Sequence, residues 1–430
     1  MNRKVLIISP YFPPSNAADM HRIRTSLPYF RDFGWDAEVV AVDPRYSDLA
    51  KDELLTQSVP TDIKIHLVKA FDKRWTSKIG LGSIALRSLW FYKKRVNELL
   101  LHTKFDLIYF STTQFPICVL GVYWKRKFGI RYVIDMQDPW HSEYYRDKPK
   151  DQQPSKYWFS YRLNKWLEPI AMKHVNGLIS VSENYIIDLK ARYPSIKNIP
   201  AMTITFGAFA LDIKVVEDNQ QCFKKLLSSE HINIVCTGRG GKDMHRAISI
   251  LFSAVKNGLN TVPELFKQIR IWFIGTSYAP AGQGKPTIAP LAQDFGIEDN
   301  VIEITDRINY YHALLTLQQA DILFIPGSDD PKYSASKIYP YLLWQKTLIA
   351  IFNSNSNVVN LLNTCAENAV VVTFEDDAHQ AAKTLQDVLA DTVKGIRTPI
   401  KLLENFSNYS ARNLTCKQCE LFDKVAIGSL

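Results

Sequence analysis

The stretch IPGSDDPKYSASKIYPYLLWQKTLIAIF, Ile325 to Phe352, decides the fold. It starts at the end of an apolar run beginning at Asp321 and passes through a polar loop. It then opens a helix at Ser334 to Lys337 and ends in a second apolar run, Thr347 to Phe352. Short runs that are apolar at every position read as strands buried on both faces, as in a parallel sheet covered by helices. Strand, crossover helix and strand in this order form the repeating unit of a doubly wound α/β sheet.

The same unit recurs in both directions. Upstream in the second half lie INIVCTG from Ile232, IRIWFIG from Ile269 and NVIEI from Asn300; downstream lies AVVVTF from Ala369. The first half carries its own series: VLIIS from Val5, AEVVAV from Ala37, IKIHLV from Ile63, DLIYFS from Asp106, YVIDM from Tyr132 and GLISVS from Gly177. A chain of 430 residues is two to three times the usual domain size. It therefore reads as two doubly wound, Rossmann-like α/β domains, residues 1–205 and 206–408, facing each other across a cleft. The last segment, 409–430, is expected to form a helix from about Ser410 to Val425 that crosses back to the first domain.

Composition narrows the class. Apolar residues at 46% and charged residues at 22% exclude disordered, collagenous and disulfide-scaffold chains. The apolar run Val5–Ile8 is too short for a signal-peptide core or a membrane span, which points to a cytoplasmic protein. The six cysteines are scattered, and Cys416 and Cys419 read as two thiols one helical turn apart. The net charge of +9 is unevenly placed: residues 1–200 carry +11 and residues 201–430 carry −2. The first half is thus expected to face something anionic. Nucleic acid is disfavoured, because zinc-finger spacing, an aromatic RNA-binding signature and a lysine-rich tail are all missing.

In open α/β sheets ligands bind beyond the carboxyl ends of the strands, so the loops that follow the apolar runs carry the chemistry. After the first run, SPYFPPSNAADMHRIR is stiffened by Pro10, Pro13 and Pro14 before a helix expected to start near Ala17 to Asp19. Here Ala17 and Ala18 would let a ligand approach the backbone, and Arg22 and Arg24 would supply charge; alternatively this is a rigid turn with two surface arginines. The fifth run ends as DMQDPWHSEYYRD, where Asp138 and His141 are the candidate catalytic groups for an acceptor hydroxyl and Trp140 a sugar-stacking ring. Its plainer interpretation is a turn cap before Pro139 and a surface histidine. In CTGRGGKDMHRA, Gly238, Gly240 and Gly241 surround Arg239 and Lys242 at a helix start, the physics of a phosphate cradle without P-loop or dinucleotide spacing. The helix opening at Ser336 and Lys337 suits a diphosphate as well, or else is an N-cap beside a solvated lysine. Asp329 and Asp330 are an adjacent loop pair and are not read as a metal site.

Taken in order, the loops PYFPPSNAADMHR, VIDMQDPW, SVSENYIIDL, TGRGGKD and SASKIYPYLLWQKTLIAI resemble those of the GT-B superfamily of nucleotide-sugar glycosyltransferases, closest to retaining glycosyltransferase family 4. The resemblance covers nearly the whole chain. It implies a donor, most readily a UDP- or GDP-sugar, held by the second domain and an acceptor held mostly by the first. By position, Arg239, Lys242, Ser336 and Lys337 would meet the donor diphosphate, and Arg307 and Tyr339 the base and ribose region. The loop at Asn16, Ala17, Ala18 and Arg22 would approach the phosphate and acceptor, and Asp138 to His141 would line the reacting sugar. Transfer with retention is implied, with no cofactor and no obligatory metal, because two cations and a helix start can stabilise the leaving diphosphate.

The sequence departs from that pattern at three places. Pro340 stands where related members carry the glutamate that binds the ribose hydroxyls, Ala17 and Ala18 replace a glycine pair, and Gln345 and Thr347 replace a glycine and a proline. A non-catalytic nucleotide-sugar-binding protein and a nucleotide-sugar epimerase therefore remain alternatives. For the acceptor, residues 72–95 mix Trp75, Trp90, Phe91 and Tyr92 with seven cations. This pattern suits either an anionic membrane surface or an ordinary amphipathic helix. Membrane contact would make the acceptor a lipid-linked saccharide of cell-envelope or surface polysaccharide synthesis, with the protein peripheral on the inner face of the membrane.

Overall fold

The computed structural model describes residues 2–141, 143, 146, 150, 153, 157–330, 333 and 335–428. The chain divides into two compact units, Met1–Phe206 with Ala411–Leu430, and Gly207–Ser410.

The first unit is built on a seven-stranded sheet: β1 (Arg3–Ile8), β2 (Trp35–Val42), β3 (Lys64–Val68), β4 (Leu107–Ser111), β5 (Arg131–Met136), β6 (Gly177–Ser180) and β7 (Ala201–Thr203). Its order is β3-β2-β1-β4-β5-β6-β7, and every pairing is parallel. All six apolar runs of the first half are strands. The short edge strand β7 has no such run and was not expected. Strands β1 and β4 are the central pair, and Val5 to Ile8 are fully buried because helices cover both faces. Each such side chain contributes about 1.5–3 kcal/mol relative to exposure. The final helix, Ala411–Ile427, belongs to this unit, as expected. Phe422 inserts among Phe30, Trp35 and Tyr109, Trp35 Nε1 donates to Asp423 at 3.0 Å, and Gln418 donates to Ser26 at 2.8 Å.

The second unit repeats the design with β8 (Ile232–Thr237), β9 (Ile269–Ile274), β10 (Val301–Ile304), β11 (Ile322–Pro326), β12 (Thr347–Phe352), the two-residue β13 (Ala366–Glu367), β14 (Val370–Thr373) and the two-residue β15 (Lys401–Leu402). The parallel sheet runs β10-β9-β8-β11-β12-β14, while β13 and β15 form a separate antiparallel pair too short to leave a sequence signal. In each sheet the order reverses beside the first strand. This places topological switch points at β1/β4 and β8/β11, where ligands of such sheets gather.

Candidate functional site

At the β1/β4 switch point the loop after β1 starts its helix within a residue of the expected Ala17 to Asp19. The helix is Met20–Ser26, and Asp19, at its N-cap position, uses its carboxylate elsewhere. Asp19 Oδ2 accepts from Thr112 Oγ1 at 3.0 Å and from Thr113 N at 2.9 Å, tying the loop after β1 to the loop after β4. Burial raises its pKa despite these bonds.

Arg22 and Arg24 are not surface arginines; both are buried. Arg22 Nε donates to Asp135 at 3.0 Å, and its terminal nitrogens donate to the carbonyls of Thr205 at 2.7 Å and Ile204 at 2.6 Å. Its donors serve the fold, so Arg22 is corrected from a ligand-facing residue to a strut between β5 and the chain after β7. Arg24 is likewise engaged, by Ser58. Asn16 is half-buried with its amide donating to Ala50 O, Ala17 is buried and Ala18 is exposed, so of this loop's small pair only Ala18 is open to a ligand.

Beyond β5, Asp138 lines a cavity of about 490 Å³ with Thr113, Gln114, Trp140, Phe159 and Asn164. Asp138 is open to solvent, yet the surrounding protein and the charge of Asp19 hold its carboxyl above the usual range. Trp140 stacks on Phe115 and donates to Asn164 Oδ1 at 3.2 Å, so its ring is a wall and not a free platform. His141 is not a surface residue and is not among the residues lining the cavity. It is 8% exposed, its ring lies 4.9 Å from that of Tyr161, and its amide donates to the buried Glu168 at 2.9 Å. Burial lowers its pKa, so the imidazole is neutral at pH 7. Asp138 and His141 are three positions apart in sequence but are not brought together in the cavity.

At the β8/β11 switch point Gly238 turns the chain with φ +97°. Gly240 packs so closely that a Cβ there would lie 2.6 Å from Ile288 Cδ1. Arg239 forms a two-bond pair with Asp243 at 3.1 and 2.7 Å. Asp243 also accepts from Ser328 Oγ at 2.7 Å, and its carbonyl accepts from Asp329 N at 2.8 Å. Burial raises the Asp243 carboxyl, but Ser328 and Arg239 outweigh it and the net shift is downward. Lys242 is exposed, with no hydrogen bond or ion pair among the described residues. Asp329 therefore works as backbone, fastening the loop after β11 to the arginine turn.

The helix expected from Ser334 is only Ile338–Leu343, and Ser334 lies outside the described residues. Six residues sum few peptide dipoles, so the cation of Lys337 matters more than the helix end. Lys337 Nζ donates to Thr237 O at 3.2 Å, and one turn later Tyr341 OH accepts from Thr237 N at 2.8 Å. Burial works against the ammonium; the neighbouring Cys236, Tyr341 and Tyr333 outweigh it, and Lys337 stays charged. Lys337 and Arg239 thus flank Gly238. Ser336 is exposed. Tyr339 is corrected from a base-facing residue: it is 5% exposed and stacks on Tyr409.

Arg307 is exposed beyond β10, its guanidinium 3.9 Å above the ring of Tyr278. Its Cα and the amide of Gly238 both lie within 4 Å of where a Gly275 Cβ would stand, so the ends of β8, β9 and β10 converge here. Two residues of this end escaped sequence reasoning. Tyr278 sits in a polar loop and carries only its composition as a signal. Glu303 holds the loop by accepting from Thr276 Oγ1 and from the amides of Thr287, Ile288 and Ala289 at 2.7–3.1 Å, having looked like an ordinary strand carboxylate.

Solved structures match over nearly the whole chain. Sucrose-phosphate synthase from Thermosynechococcus elongatus aligns over 99% of this chain and 96% of its own, with TM-score 0.52 and 14% identity. The chain has the GT-B glycosyltransferase fold. WaaG, a glycosyltransferase involved in lipopolysaccharide biosynthesis, aligns over 98% of both chains with TM-score 0.50 and 11% identity. An E. coli trehalose-6-phosphate protein bound with UDP-2-fluoro glucose aligns over 98% and 97%, with TM-score 0.50 and 12% identity. No protein-family model and no curated protein sequence matches the chain. Identities this low establish the GT-B fold and leave the chemistry to the residues.

Proposed function

We propose that this GT-B protein is a retaining glycosyltransferase that moves a sugar from a UDP- or GDP-sugar to a glycan or lipid-linked acceptor in cell-envelope or surface polysaccharide synthesis. The observation that carries this reading is the β8/β11 switch point, where Arg239 and Lys337 flank the Gly238 turn. Two fixed cations at that place stabilise the charge that builds on a leaving diphosphate. Lys242 and Ser336 border the same turn and helix start, and Arg307 with Tyr278 offers a stacking pair for a base. In the first unit, Ala18 and the Asp138 cavity receive the acceptor, and His141 supports the loop from beneath. Solved structures of the same fold include a lipopolysaccharide glycosyltransferase and a protein bound with a UDP-sugar analogue, which agrees with this donor class. Among the described residues no helix is long and apolar enough to cross a membrane, so contact with a lipid-linked acceptor would be peripheral, through residues 72–95.

The test is calorimetric titration with UDP, GDP and their sugar conjugates, followed by NMR of the product anomer. One nucleotide should bind. Arg239→Ala should weaken it by roughly 10–150-fold, the worth of about 1.5–3 kcal/mol for hydrogen bonds to a charged group. His141→Ala should leave donor affinity unchanged. A folded protein that binds none of them, or equal mild effects of the two variants, refutes the assignment. Binding without turnover would favour the second reading, a non-catalytic nucleotide-sugar-binding protein, for which Pro340 in place of the ribose-binding carboxylate is the motive.

A further inference from the structure

Four tryptophans of the first unit are open to solvent: Trp75 at 71%, Trp90 at 55%, Trp158 at 64% and Trp166 at 66%. Exposed indoles in such number are unusual for a surface that meets only water. They come from three elements: the turn Lys73–Thr76, the helix Ile84–His102 and the helix Tyr157–Met172. The two helices, and the turn that directly follows Lys73–Thr76, line the cavity that holds Asp138. Ser77, Leu86, Phe159 and Leu163 line that cavity, and each exposed tryptophan lies within one helical turn of one of them. A Cβ at Gly80 would come within 2.9 Å of the Phe159 ring, so the 77–80 turn rests directly on the third element. Trp158, Arg162 and Trp166, spaced by four, form one exposed stripe of their helix.

Each element also carries cations on its aromatics. Lys78 Nζ lies 5.1 Å from the Trp75 ring centroid, Lys94 Nζ 5.9 Å from Trp90, and Arg162 Cζ 5.6 Å from Trp158. Residues 72–95 hold seven cations against the single acid Asp72; Arg87 is buried and Lys73 and Arg74 are ion-paired, while Lys78, Lys93 and Lys94 have no ion pair among the described residues. On the third element Glu168 is buried and bonded to Arg192, so it does not offset Arg162 and Lys165 at the surface; among the described residues the exposed acid against this helix is Glu143, which accepts from Tyr161. Indoles that settle at the headgroup level, interleaved with cations that meet anionic lipid, are the chemistry of an interfacial surface.

We propose that this face, built from both residues 72–95 and the Trp158–Trp166 stripe, docks on an anionic lipid bilayer with the mouth of the Asp138 cavity at the headgroup level. The acceptor is then an amphiphile whose saccharide head enters the cavity while its lipid part stays in the bilayer. This deepens the acceptor half of the proposed transferase and rests on that reading for the chemistry alone. The docking itself is measurable without donor or turnover.

The experiment is flotation of the full-length chain with vesicles of phosphatidylcholine alone and of phosphatidylcholine with an equal amount of phosphatidylglycerol. The protein should float with the mixed vesicles only, with a blue shift of tryptophan emission. Both W75A/W90A and W158A/W166A should lower the partition coefficient by about tenfold or more, because each removes two interfacial rings. All four side chains are exposed, and unchanged melting of the variants confirms that they fold. No flotation with anionic vesicles overturns the proposal. So does flotation that W158A/W166A leaves unchanged, or a dimer in solution that either variant dissolves, which would make the face a contact between copies. Nucleotide titration of the same samples reports separately whether the transferase reading stands.

Discussion

Arg22→Met tests whether the first unit's switch point is held by a buried ion pair. Arg22 and Asp135 are 3% and 0% exposed and lie 3.0 Å apart. Removing the guanidinium leaves Asp135 charged among Tyr109, Ser111 and Gln137, and leaves the carbonyls of Ile204 and Thr205 without their donor. Breaking a buried pair costs about 3–5 kcal/mol. For a unit of this size each kcal/mol is worth roughly 2–4 °C, so its calorimetric transition should fall by roughly 6–20 °C. Asp135→Asn should be destabilising too. The double variant should be less destabilised than the sum of the two by at least about 2 kcal/mol, because the second change removes the charge that the first one stranded. It should not reach the wild type, since the two carbonyls stay unsatisfied. The transition of the second unit should not move. Additivity of the two changes to within about 0.5 kcal/mol would refute the pairing.

Two further outcomes follow from backbone and titration. Gln345 sits at φ +46°, a conformation that suits glycine, so Gln345→Gly should raise the second unit's melting temperature by roughly 1–4 °C; a fall would show that its side chain matters more than the strain. His141 has its pKa lowered by burial, so the unfolded chain binds more protons than the folded one between that value and the ordinary 6.5. Stability of the first unit should therefore be lost as pH falls through this window, and His141→Asn should flatten that part of the pH profile; an unchanged profile would place the titration elsewhere.

How far the residues announce this structure depends on whether the signal is periodic. Twelve apolar runs are twelve strands; most are buried on both faces, while the edge strand β3 is legible although Ile65 and Leu67 are exposed. The three-residue β7 and the β13–β15 pair are too short for any period to register. At the sites the limit is different. The sequence shows that Arg22, Arg24, Arg239 and Arg307 follow strands but not which way each points, and burial decides their roles: two are struts and two face solvent. The same blindness made Tyr339 a base-facing residue and left Tyr278 unnoticed. Trp158 and Trp166 escaped because two tryptophans eight positions apart mark one face of a helix without saying whether that face meets the core or solvent, and only their exposure decides it.

The two units solve one problem in the same way. In each, an aspartate in the loop after the first strand is hydrogen-bonded by the loop after the strand beside it across the switch point: Asp19 by Thr112 and Thr113, Asp243 by Ser328 and Asp329. The consequences differ because the partners differ. Asp243 meets Arg239, so its charge is balanced and the arginine is held ready at the turn. Among the described residues Asp19 meets only neutral donors, stays costly to ionise, and presses upward on the pKa of Asp138. The charge asymmetry between the halves must be read with the same care. Arg22, Arg24 and Arg87 contribute to the +11 yet are buried and bonded within the first unit, so they attract nothing from outside. Among the cations that remain available, Lys78, Lys94 and Arg162 lie over exposed tryptophans, while others such as Lys104 and Lys127 are exposed elsewhere on the unit. The net charge of the first half therefore does not locate a partner by itself; it is the pairing of cations with exposed indoles at Trp75, Trp90 and Trp158 that favours a lipid headgroup layer over a soluble polyanion.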